Sequence, residues 1–317
     1  MLEYVLFAIG FILLIKGADL LVDGSSAIAR LFRIKELVIG LTIVSFGTSA
    51  PELVVNLVAS FNESPELAIG NVLGSNIANI FLILGISALI HPLMVQSNTT
   101  YKEIPFQLLA AIIVFVLGYD VLFSSGNFFG ISRGDGLVLL GFFIIFMYYV
   151  FSIAKSSDQE DVSAPKLSQT RSVVYILLGM VGLSLGSHWI VKSAIQIAQN
   201  FDVSERLIGL SLVAIGTSLP ELAASVVAAM KRNTDLAIGN VVGSNIFNIF
   251  WIFGISATIH PIVVVSENQI DFILNILASL LLFGVLFVGK KQMIEKWQGV
   301  LFLIIYSVYI GYLIYQG

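Results

Sequence analysis

Ten apolar segments follow one another along the chain, each long enough for one crossing of a lipid bilayer. A transmembrane helix needs about 20 mostly apolar residues. Backbone polar groups must be paired internally in lipid, so segments of this length predict helices or interrupted helices. Membrane β-strands would instead alternate over about ten residues. The predicted spans cover residues 2–29, 37–60, 66–90, 103–123, 136–154, 172–198, 207–229, 235–258, 269–289 and 296–315.

The composition agrees with a chain that lies in lipid. It is 57% hydrophobic and 11% charged, with a mean hydropathy of +0.97, whereas a soluble domain carries about 25% charged residues. We therefore expect an all-α membrane protein surrounded by a lipid bilayer. The net charge of -4 and the lack of a basic patch with interleaved aromatics argue against a nucleic-acid partner. The absence of cysteine excludes disulfides, thiol nucleophiles and Cys-ligated metals.

One polar stretch divides the chain into two parts. Residues 155–171 are rich in Ser, Asp and Gln and contain Pro, a composition that predicts a flexible linker. The stretch is too short to form a folded domain of its own. It separates a first five-helix unit, residues 1–154, from a second five-helix unit, residues 172–317.

Lys and Arg residues are distributed unevenly between the two sets of loops. With ten spans, the loops after helices 1, 3, 5, 7 and 9 hold 12 of the 16 basic residues, and the opposite loops hold Arg133 and Arg206. Basic residues concentrate in cytoplasmic loops. We therefore expect a multi-pass protein of the cell membrane with a cytoplasmic linker and both termini extracellular.

The two units carry an internal repeat. Residues 39–92 align without a gap with residues 208–261 at a constant offset of 169, and 33 of the 54 aligned positions are identical. The offset corresponds to five spans, an odd number, so the second copy enters the membrane from the opposite side. Inverted repeats are typical of secondary transporters, whose substrate site lies near the midplane between the halves.

Each copy places one glutamate inside an apolar span. Glu52 follows Pro51 in the motif GTSAPE, and Glu221 follows Pro220 in GTSLPE. Ionisable residues at membrane depth are costly and mark functional sites. Proline lacks an N–H and clashes with the carbonyl four residues back, so both motifs predict a broken helix. The break would gather carbonyls, hydroxyls and a carboxylate, the oxygen ligands that Ca²⁺ prefers.

A second motif, GNVxGSNIxN, follows in each copy. Ser75 and Asn79 share a helix face, as do Ser244 and Asn248. Glycine pairs spaced four apart in the same motif allow close helix approach, but burying the Ser/Asn stripe is costly without a ligand. Two carboxylates carry a charge near -2, which one Ca²⁺ neutralises. Several Na⁺ ions could replace it on the same oxygens, and this competition would couple the two ions.

Other classes of function stay open at this point. A passive cation channel could use the carbonyls of broken helices as a filter, and net flux without a counter-ion would identify it. An intramembrane enzyme is disfavoured, since no Ser/His pair or paired-Asp motif is apparent. We expect no enzymatic activity and no cofactor apart from the transported ions.

The paired motifs resemble the two alpha repeats of the Ca²⁺/cation antiporter superfamily, and in particular its compact prokaryotic Na⁺/Ca²⁺ exchanger branch. The resemblance covers almost the whole chain. It implies Na⁺/Ca²⁺ exchange by alternating access, in a prokaryotic plasma membrane and by a monomer. It also implies that the second, third, seventh and eighth helices form the ion site, while the first and sixth are long, tilted gating helices.

The resemblance further implies a set of ion-site residues. Glu52 and Glu221 would bind both Ca²⁺ and Na⁺, and the backbone carbonyls of Thr48 and Thr217 would join the Ca²⁺ shell. A group of hydroxyls and carbonyls would serve Na⁺. These are the side chains of Ser49, Ser218, Ser75 and Ser244 and the carbonyls of Ser45 and Ala214.

Asn79 and Asn248 would line the middle of this site. Position 248 is an aspartate in K⁺-dependent exchangers, so Asn248 argues against K⁺ co-transport. Proton-coupled Ca²⁺ exchangers tend to carry a glutamate in the GN motif, where Gly74 and Gly243 stand here. Exchange coupled to H⁺, or dependent on K⁺, is the alternative to simple Na⁺/Ca²⁺ exchange.

Overall fold

The computed structural model describes residues 2–119, 129–155, 167–200, 214–265 and 268–316. Within these ranges the chain forms helices joined by short turns, together with four two-residue strands. The helices are α1 Leu2–Phe32, α2 Glu36–Thr48, α3 Ala50–Phe61, α4 Pro65–Ile90, α5 Thr99–Gly118, α6 Arg133–Lys155, α7 Gln169–Asn200, α8 Ala214–Thr217, α9 Leu219–Met230, α10 Thr234–Ile259, α11 Gln269–Val285 and α12 Lys296–Gln316.

Most of these helices have the length and apolar character of membrane spans. In the described ranges seven are long and apolar enough to cross a membrane, or eight when the bent pair α2 and α3 counts as one span. The shorter apolar helix α9 overlaps the second half of the seventh predicted span, and α11 covers most of the ninth. The prediction of a helical membrane protein is confirmed, whereas ten spans in inverted repeats stay a prediction. Residues 120–123 and 207–213 of the predicted spans lie outside the described ranges.

Helices extend into both ends of the stretch that is predicted to be a linker. Lys155 is the last residue of α6, and Gln169 is the first residue of α7. Both ends of the 155–171 stretch are therefore helical, because a helix can continue for a turn beyond its apolar segment into water. Residues 156–166 lie outside the described ranges.

The helix boundaries repeat at the same offset as the sequence. α3 and α9 are related by a shift of 169 residues at both ends, and so are α4 and α10. Both α4 and α10 contain a π-helical stretch near the middle, at Asn79–Ile83 and Phe247–Phe253. Such wide turns often occur at functional positions, and here each one lies next to the Ser/Asn stripe of its motif.

α1 and α7 are equivalent in the repeat and pack against each other in antiparallel orientation. Gly10 lies against Gly186, and Gly17 lies against Gly179. A Cβ atom on Gly17 would be 2.7 Å from the backbone nitrogen of Leu183 and 2.9 Å from the carbonyl oxygen of Gly179. The two backbones therefore approach as closely as glycine allows, which is typical of helix pairs in membranes.

The short strands join loops at each end of the helices. β1 (Leu93–Met94) pairs with β4 (Met293–Ile294), and β2 (Gly130–Ile131) pairs with β3 (Ile262–Val263). The first pair joins two loops that the distribution of basic residues assigns to the cytoplasm. The second pair joins two loops assigned to the opposite side.

A further contact ties α1 to the turn between α9 and α10. Lys231 Nζ lies 2.7 Å from Asp23 Oδ1 and 3.2 Å from Asp19 Oδ1. In the same turn Asn233 donates a hydrogen bond to Ser26 Oγ at 3.0 Å. Partly exposed ion pairs contribute little stability, so this cluster fixes the position of the turn against α1 more than it holds the fold together.

We predict that Gly17→Leu destabilises the protein, because the larger side chain must separate α1 from α7. Overpacking of this kind costs about 1–3 kcal/mol. The thermal unfolding midpoint in detergent, followed by tryptophan fluorescence, should fall. The control is Gly141→Leu in α6, since no described atom lies within 4 Å of a Cβ at that glycine. Equal midpoints for the two variants would contradict the close α1–α7 packing.

Candidate cation-binding site

Both GTSxPE motifs break their helices as predicted. α2 ends at Thr48 and α3 begins at Ala50, with a bend of 47° between the two axes. Ser49 lies at the break with φ -83° and ψ 6°, and Ser218 has nearly the same conformation, φ -83° and ψ 2°. The proline that follows each break has no N–H to offer to the preceding turn. The two breaks therefore have the same geometry. In both motifs the polar residues lie at the ends of the interrupted helices.

The two glutamates are completely buried and each is linked to the other half of the chain. Glu221 Oε1 accepts a hydrogen bond from Ser49 Oγ at 2.9 Å. Glu52 Oε1 accepts one from Ser75 Oγ at 3.2 Å, and Ser75 Oγ lies 2.9 Å from Ser218 Oγ. Both carboxylates are 0% exposed. The structure thus joins Glu221 to Ser49 and Glu52 to Ser75 and Ser218, and each of the two polar groups links the halves of the chain. Together they are called the polar centre.

Several buried oxygen atoms in this centre have no hydrogen-bond partner among the described residues. They are Oε2 of Glu52 and of Glu221, Oγ1 of Thr217, and Oδ1 of Asn79 and of Asn248. Buried polar atoms are nearly always paired, and an unpaired carboxylate oxygen in an apolar environment is especially costly. Carboxylate, hydroxyl and amide oxygens are the ligands of hard cations, so this donor set fits a bound Ca²⁺ or Na⁺.

Thr48 and Ser244 meet at the edge of this centre. Thr48 Oγ1 lies 3.5 Å from Ser244 Oγ and donates a hydrogen bond to Asn240 Oδ1 at 3.0 Å. Both side chains are buried. The two halves of the chain therefore meet at these residues, which the sequence places in different motifs.

Two of the predicted ligands are the backbone carbonyls of Ser45 and Ala214. The hydroxyl of Ser45 lies within hydrogen-bond distance of the carbonyls of Gly40 at 2.7 Å and Asn240 at 3.0 Å, so this side chain holds α2 against α10. The carbonyl of Ser45 accepts the N–H of Ser49 at 2.9 Å. Ala214 begins α8, and the residues just before it lie outside the described ranges.

The glycines of the second motif in α10 pack closely against α2. A Cβ on Gly243 would lie 2.2 Å from Ser45 Oγ, and one on Gly239 would lie 2.7 Å from the carbonyl oxygen of Leu37. This confirms the predicted close packing for α10 against α2. For Gly70 and Gly74 no described atom lies within 4 Å. The segment that the repeat would place opposite them, residues 206–213, lies outside the described ranges.

Two asparagines support the glutamate backbones, a role that the sequence analysis missed. Asn240 Nδ2 donates to the carbonyl of Glu221 at 3.3 Å, and Asn71 Nδ2 donates to the carbonyl of Glu52 at 3.1 Å. The two asparagines are separated by the repeat offset of 169, as the glutamates are. The repeat could have indicated a shared role for this pair, but the contact itself becomes visible only in the folded chain.

The two glutamates of the centre have no basic partner among the described residues. None of the ion pairs among the described residues joins Glu52 or Glu221 to a Lys or Arg. The described residues also contain no group of three or more His, Asp or Glu side chains that could hold a metal. The centre therefore combines two carboxylates with neutral hydroxyl and amide oxygens, a composition that fits the binding of a cation.

The chain is similar to known proteins over almost its whole length. The family described as sodium/calcium exchanger protein matches residues 2–152 and 171–315 of the chain. An uncharacterized membrane protein of Methanocaldococcus jannaschii is 38% identical, with 96% of each chain covered. The sodium/calcium exchanger MaX1 of Methanosarcina acetivorans is 29% identical, with 99% of each chain covered. A structure of the sodium-calcium exchanger NCX_Mj soaked with Na⁺ and Sr²⁺ matches with a TM-score of 0.85 and 36% identity, covering 98% of both chains.

We predict that Ca²⁺ stabilises the detergent-solubilised protein and that Glu221→Gln abolishes this effect, because the amide removes one of the two negative charges. A ligand that binds only the folded state contributes about 2.7 kcal/mol when its free concentration is about 100 times the Kd. The measurement is the thermal unfolding midpoint with and without Ca²⁺. Glu66→Gln is the matched control, since Glu66 is exposed in the first turn of α4. An unchanged Ca²⁺ effect in Glu221→Gln would contradict this assignment.

Proposed function

Because the chain belongs to the sodium/calcium exchanger protein family, we propose that it exchanges Na⁺ for Ca²⁺ at the polar centre between its two halves. The exchange of these ions is a transport function, so no enzymatic reaction is assigned. The observation that carries the proposal is the set of buried, unpaired oxygen atoms around two carboxylates that no Lys or Arg among the described residues neutralises.

Ca²⁺ would be held by the two glutamates together with main-chain oxygens at the two helix breaks. Glu52 and Glu221 each have one carboxylate oxygen committed to a serine and one unpaired. The carbonyls of Thr48 and Thr217 precede the breaks and would complete the shell. Ca²⁺ takes about 6–8 oxygen ligands, and the amide oxygens of Asn79 and Asn248 would line the middle of the site.

Na⁺ would use the same carboxylates together with neutral ligands around them. These are the hydroxyls of Ser49, Ser218, Ser75 and Ser244 and the carbonyls of Ser45 and Ala214. One Ca²⁺ balances the charge of two carboxylates, whereas Na⁺ carries half that charge, so more than one Na⁺ is needed for the same neutrality. Shared ligands make occupancy by the two ions mutually exclusive, and this exclusion couples their opposite movements.

Access to the site would alternate between the two sides by exchange of roles between inverted halves. The antiparallel packing of the equivalent helices α1 and α7 supports an inverted arrangement. The repeated helix boundaries and the strand pairs at the two ends also support ten spans. The tightly packed α1 and α7 would move together as the gating pair.

The protein would lie in a prokaryotic plasma membrane as a monomer with both termini outside. The distribution of basic residues carries the orientation, with 12 on one side and two on the other. The pairing of the strands supports it, since β1 and β4 connect two loops that the distribution of basic residues assigns to the same side.

We predict that proteoliposomes loaded with Na⁺ take up external ⁴⁵Ca²⁺ and that Glu52→Gln abolishes this uptake. The variant keeps the size of the side chain but lowers the charge of the site, so the loss should exceed about 100-fold, in line with about 3–5 kcal/mol for a broken buried charge site. The initial rate of uptake is the quantity measured. Glu66→Gln, on the exposed first turn of α4, should transport like the unmodified chain.

The same assay separates the alternative modes of coupling. Uptake that needs internal K⁺ would show K⁺ dependence despite the amide at position 248. Uptake driven by low internal pH without Na⁺ would show H⁺ coupling. Net Ca²⁺ flux without any counter-ion would identify a channel, and it would overturn the antiporter mechanism proposed here.

The orientation can be tested by cysteine labelling, because the chain contains no cysteine. We predict that Lys290→Cys reacts with a membrane-impermeant maleimide only after cell lysis, whereas Arg133→Cys reacts in intact cells. Both positions are exposed. Arg133 is the first residue of α6, and Lys290 lies in the loop between α11 and α12. Labelling with the reverse pattern would place the termini in the cytoplasm, while equal labelling would contradict the assignment of the two loops to opposite sides.

A further inference from the structure

We propose that Asn76 and Asn245 are positioning residues, which turn the side-chain amides of Asn79 and Asn248 so that their oxygen atoms face the transported ion. The inference rests on the proposed function, since it concerns two residues of that ion site. It adds a pair of residues that are not ligands themselves. Both belong to the GSN triplets of the second motif, in α4 and α10.

The four asparagines form a reciprocal network where α4 crosses α10. Asn79 Nδ2 donates to Asn245 Oδ1 at 2.9 Å, and Asn248 Nδ2 donates to Asn76 Oδ1 at 3.0 Å. All four side chains are at most 1% exposed. The two bonds are related by the repeat offset of 169, so the same contact occurs once in each direction between the halves.

The orienting residues are themselves fixed by the main chain of the opposite helix. Asn76 Nδ2 donates to the backbone carbonyl of Asn245 at 3.3 Å, and Asn245 Nδ2 donates to the backbone carbonyl of Asn76 at 3.5 Å. Each donor group is thus used on a carbonyl, which leaves each Oδ1 free to accept. This arrangement determines which side of the amide is presented to Asn79 and Asn248.

An amide ligand needs such a partner because its two ends are chemically opposite. A half-turn about the last side-chain bond exchanges a carbonyl oxygen for an NH₂ group of nearly the same shape. In Asn79 this rotation would bring Oδ1 against Asn245 Oδ1, two acceptors without a proton between them. The hydrogen bond therefore holds the amide in one orientation.

The orientation that results is the one that a cation requires. With Nδ2 of Asn79 and of Asn248 donated to the network, the Oδ1 atoms are the free ends, and both are buried without a partner among the described residues. The reversed amide would present an N–H to the ion, which removes an oxygen ligand and adds a repulsive partial charge. Loss of partners that orient metal ligands typically lowers metal affinity about 10–100-fold.

A purely structural role for the four asparagines makes a different prediction. If the network served only to hold α4 against α10, its loss would lower stability and leave the apparent affinity for Ca²⁺ unchanged. Aspartate at position 76 or 245 keeps the acceptor oxygen for the neighbouring Nδ2 and has nearly the same size as asparagine, but it loses the N–H that is donated to the opposite main chain. Leucine has a similar volume but offers no acceptor. The pair of substitutions therefore separates orientation from packing.

The experiment compares Asn245→Leu and Asn76→Leu with Asn245→Asp and Asn76→Asp in Na⁺-driven ⁴⁵Ca²⁺ uptake by proteoliposomes. The control is Asn275→Leu, which removes a buried amide of α11 whose Nδ2 has no partner in the described part of the chain. We expect the leucine variants to raise the KM for Ca²⁺ about tenfold or more, with a smaller change in kcat. The aspartate variants should keep the KM at or below that of the unmodified chain, and the control should leave it unchanged.

Several outcomes would overturn the inference. One is an unchanged KM in the leucine variants, with or without a lower unfolding midpoint. Another is an equal rise in KM for leucine and aspartate, which would show that the acceptor oxygen is not what matters. If the unmodified chain shows no Na⁺-driven uptake, the proposed function fails and the inference fails with it. If the unmodified chain transports and only the variant pattern differs, the positioning role alone is wrong.

Discussion

The structure depends on two carboxylates that lie in the apolar middle of the protein without a basic partner among the described residues. Burial of an uncompensated charge is among the most costly arrangements in a membrane. The chain offsets this cost with polar groups arranged around the pair: serine hydroxyls donate to one oxygen of each carboxylate, at 2.9 Å and 3.2 Å. The other oxygen of each carboxylate has no hydrogen-bond partner among the described residues. The helix breaks, the wide π-helical turns and the asparagine network all lie close to this centre.

The centre forms only where the two halves meet. Glu221 of the second half is held by Ser49 of the first half, and Ser75 connects Glu52 to Ser218. A small displacement of one half relative to the other must therefore change the ligand set of both carboxylates together. In the proposed exchanger, an ion bound between the carboxylates would therefore influence the relative position of the halves.

Much of this arrangement follows from the sequence, and the rest depends on contacts across the repeat. The apolar segments predicted the helices to within a few residues, and the proline motifs predicted both breaks, because each signal is local. The sequence did not assign roles to Asn240, Asn76 or Asn245, since a helix pattern shows which face is polar but not which atom lies opposite. The packing of Gly239 against Leu37 was expected from small residues four apart. The sequence analysis did not predict that α6 and α7 extend into the polar stretch, because the ends of that stretch were set by its polar composition and not by the helix propensity of its residues.

In the proposed ion site, the amides at positions 79 and 248 affect both the charge of the site and the orientation of its oxygen atoms. A carboxylate has two equivalent oxygens and can bind an ion in either orientation, so an aspartate ligand needs no device to choose between its ends. An amide has only one oxygen and must be held. Amides keep the charge of the centre near -2, which a single Ca²⁺ neutralises, but they require neighbours that accept their N–H groups. The hydrogen bonds of 2.9 Å and 3.0 Å to Asn245 and Asn76 meet this requirement, and the repeat supplies them twice because each half orients the amide of the other.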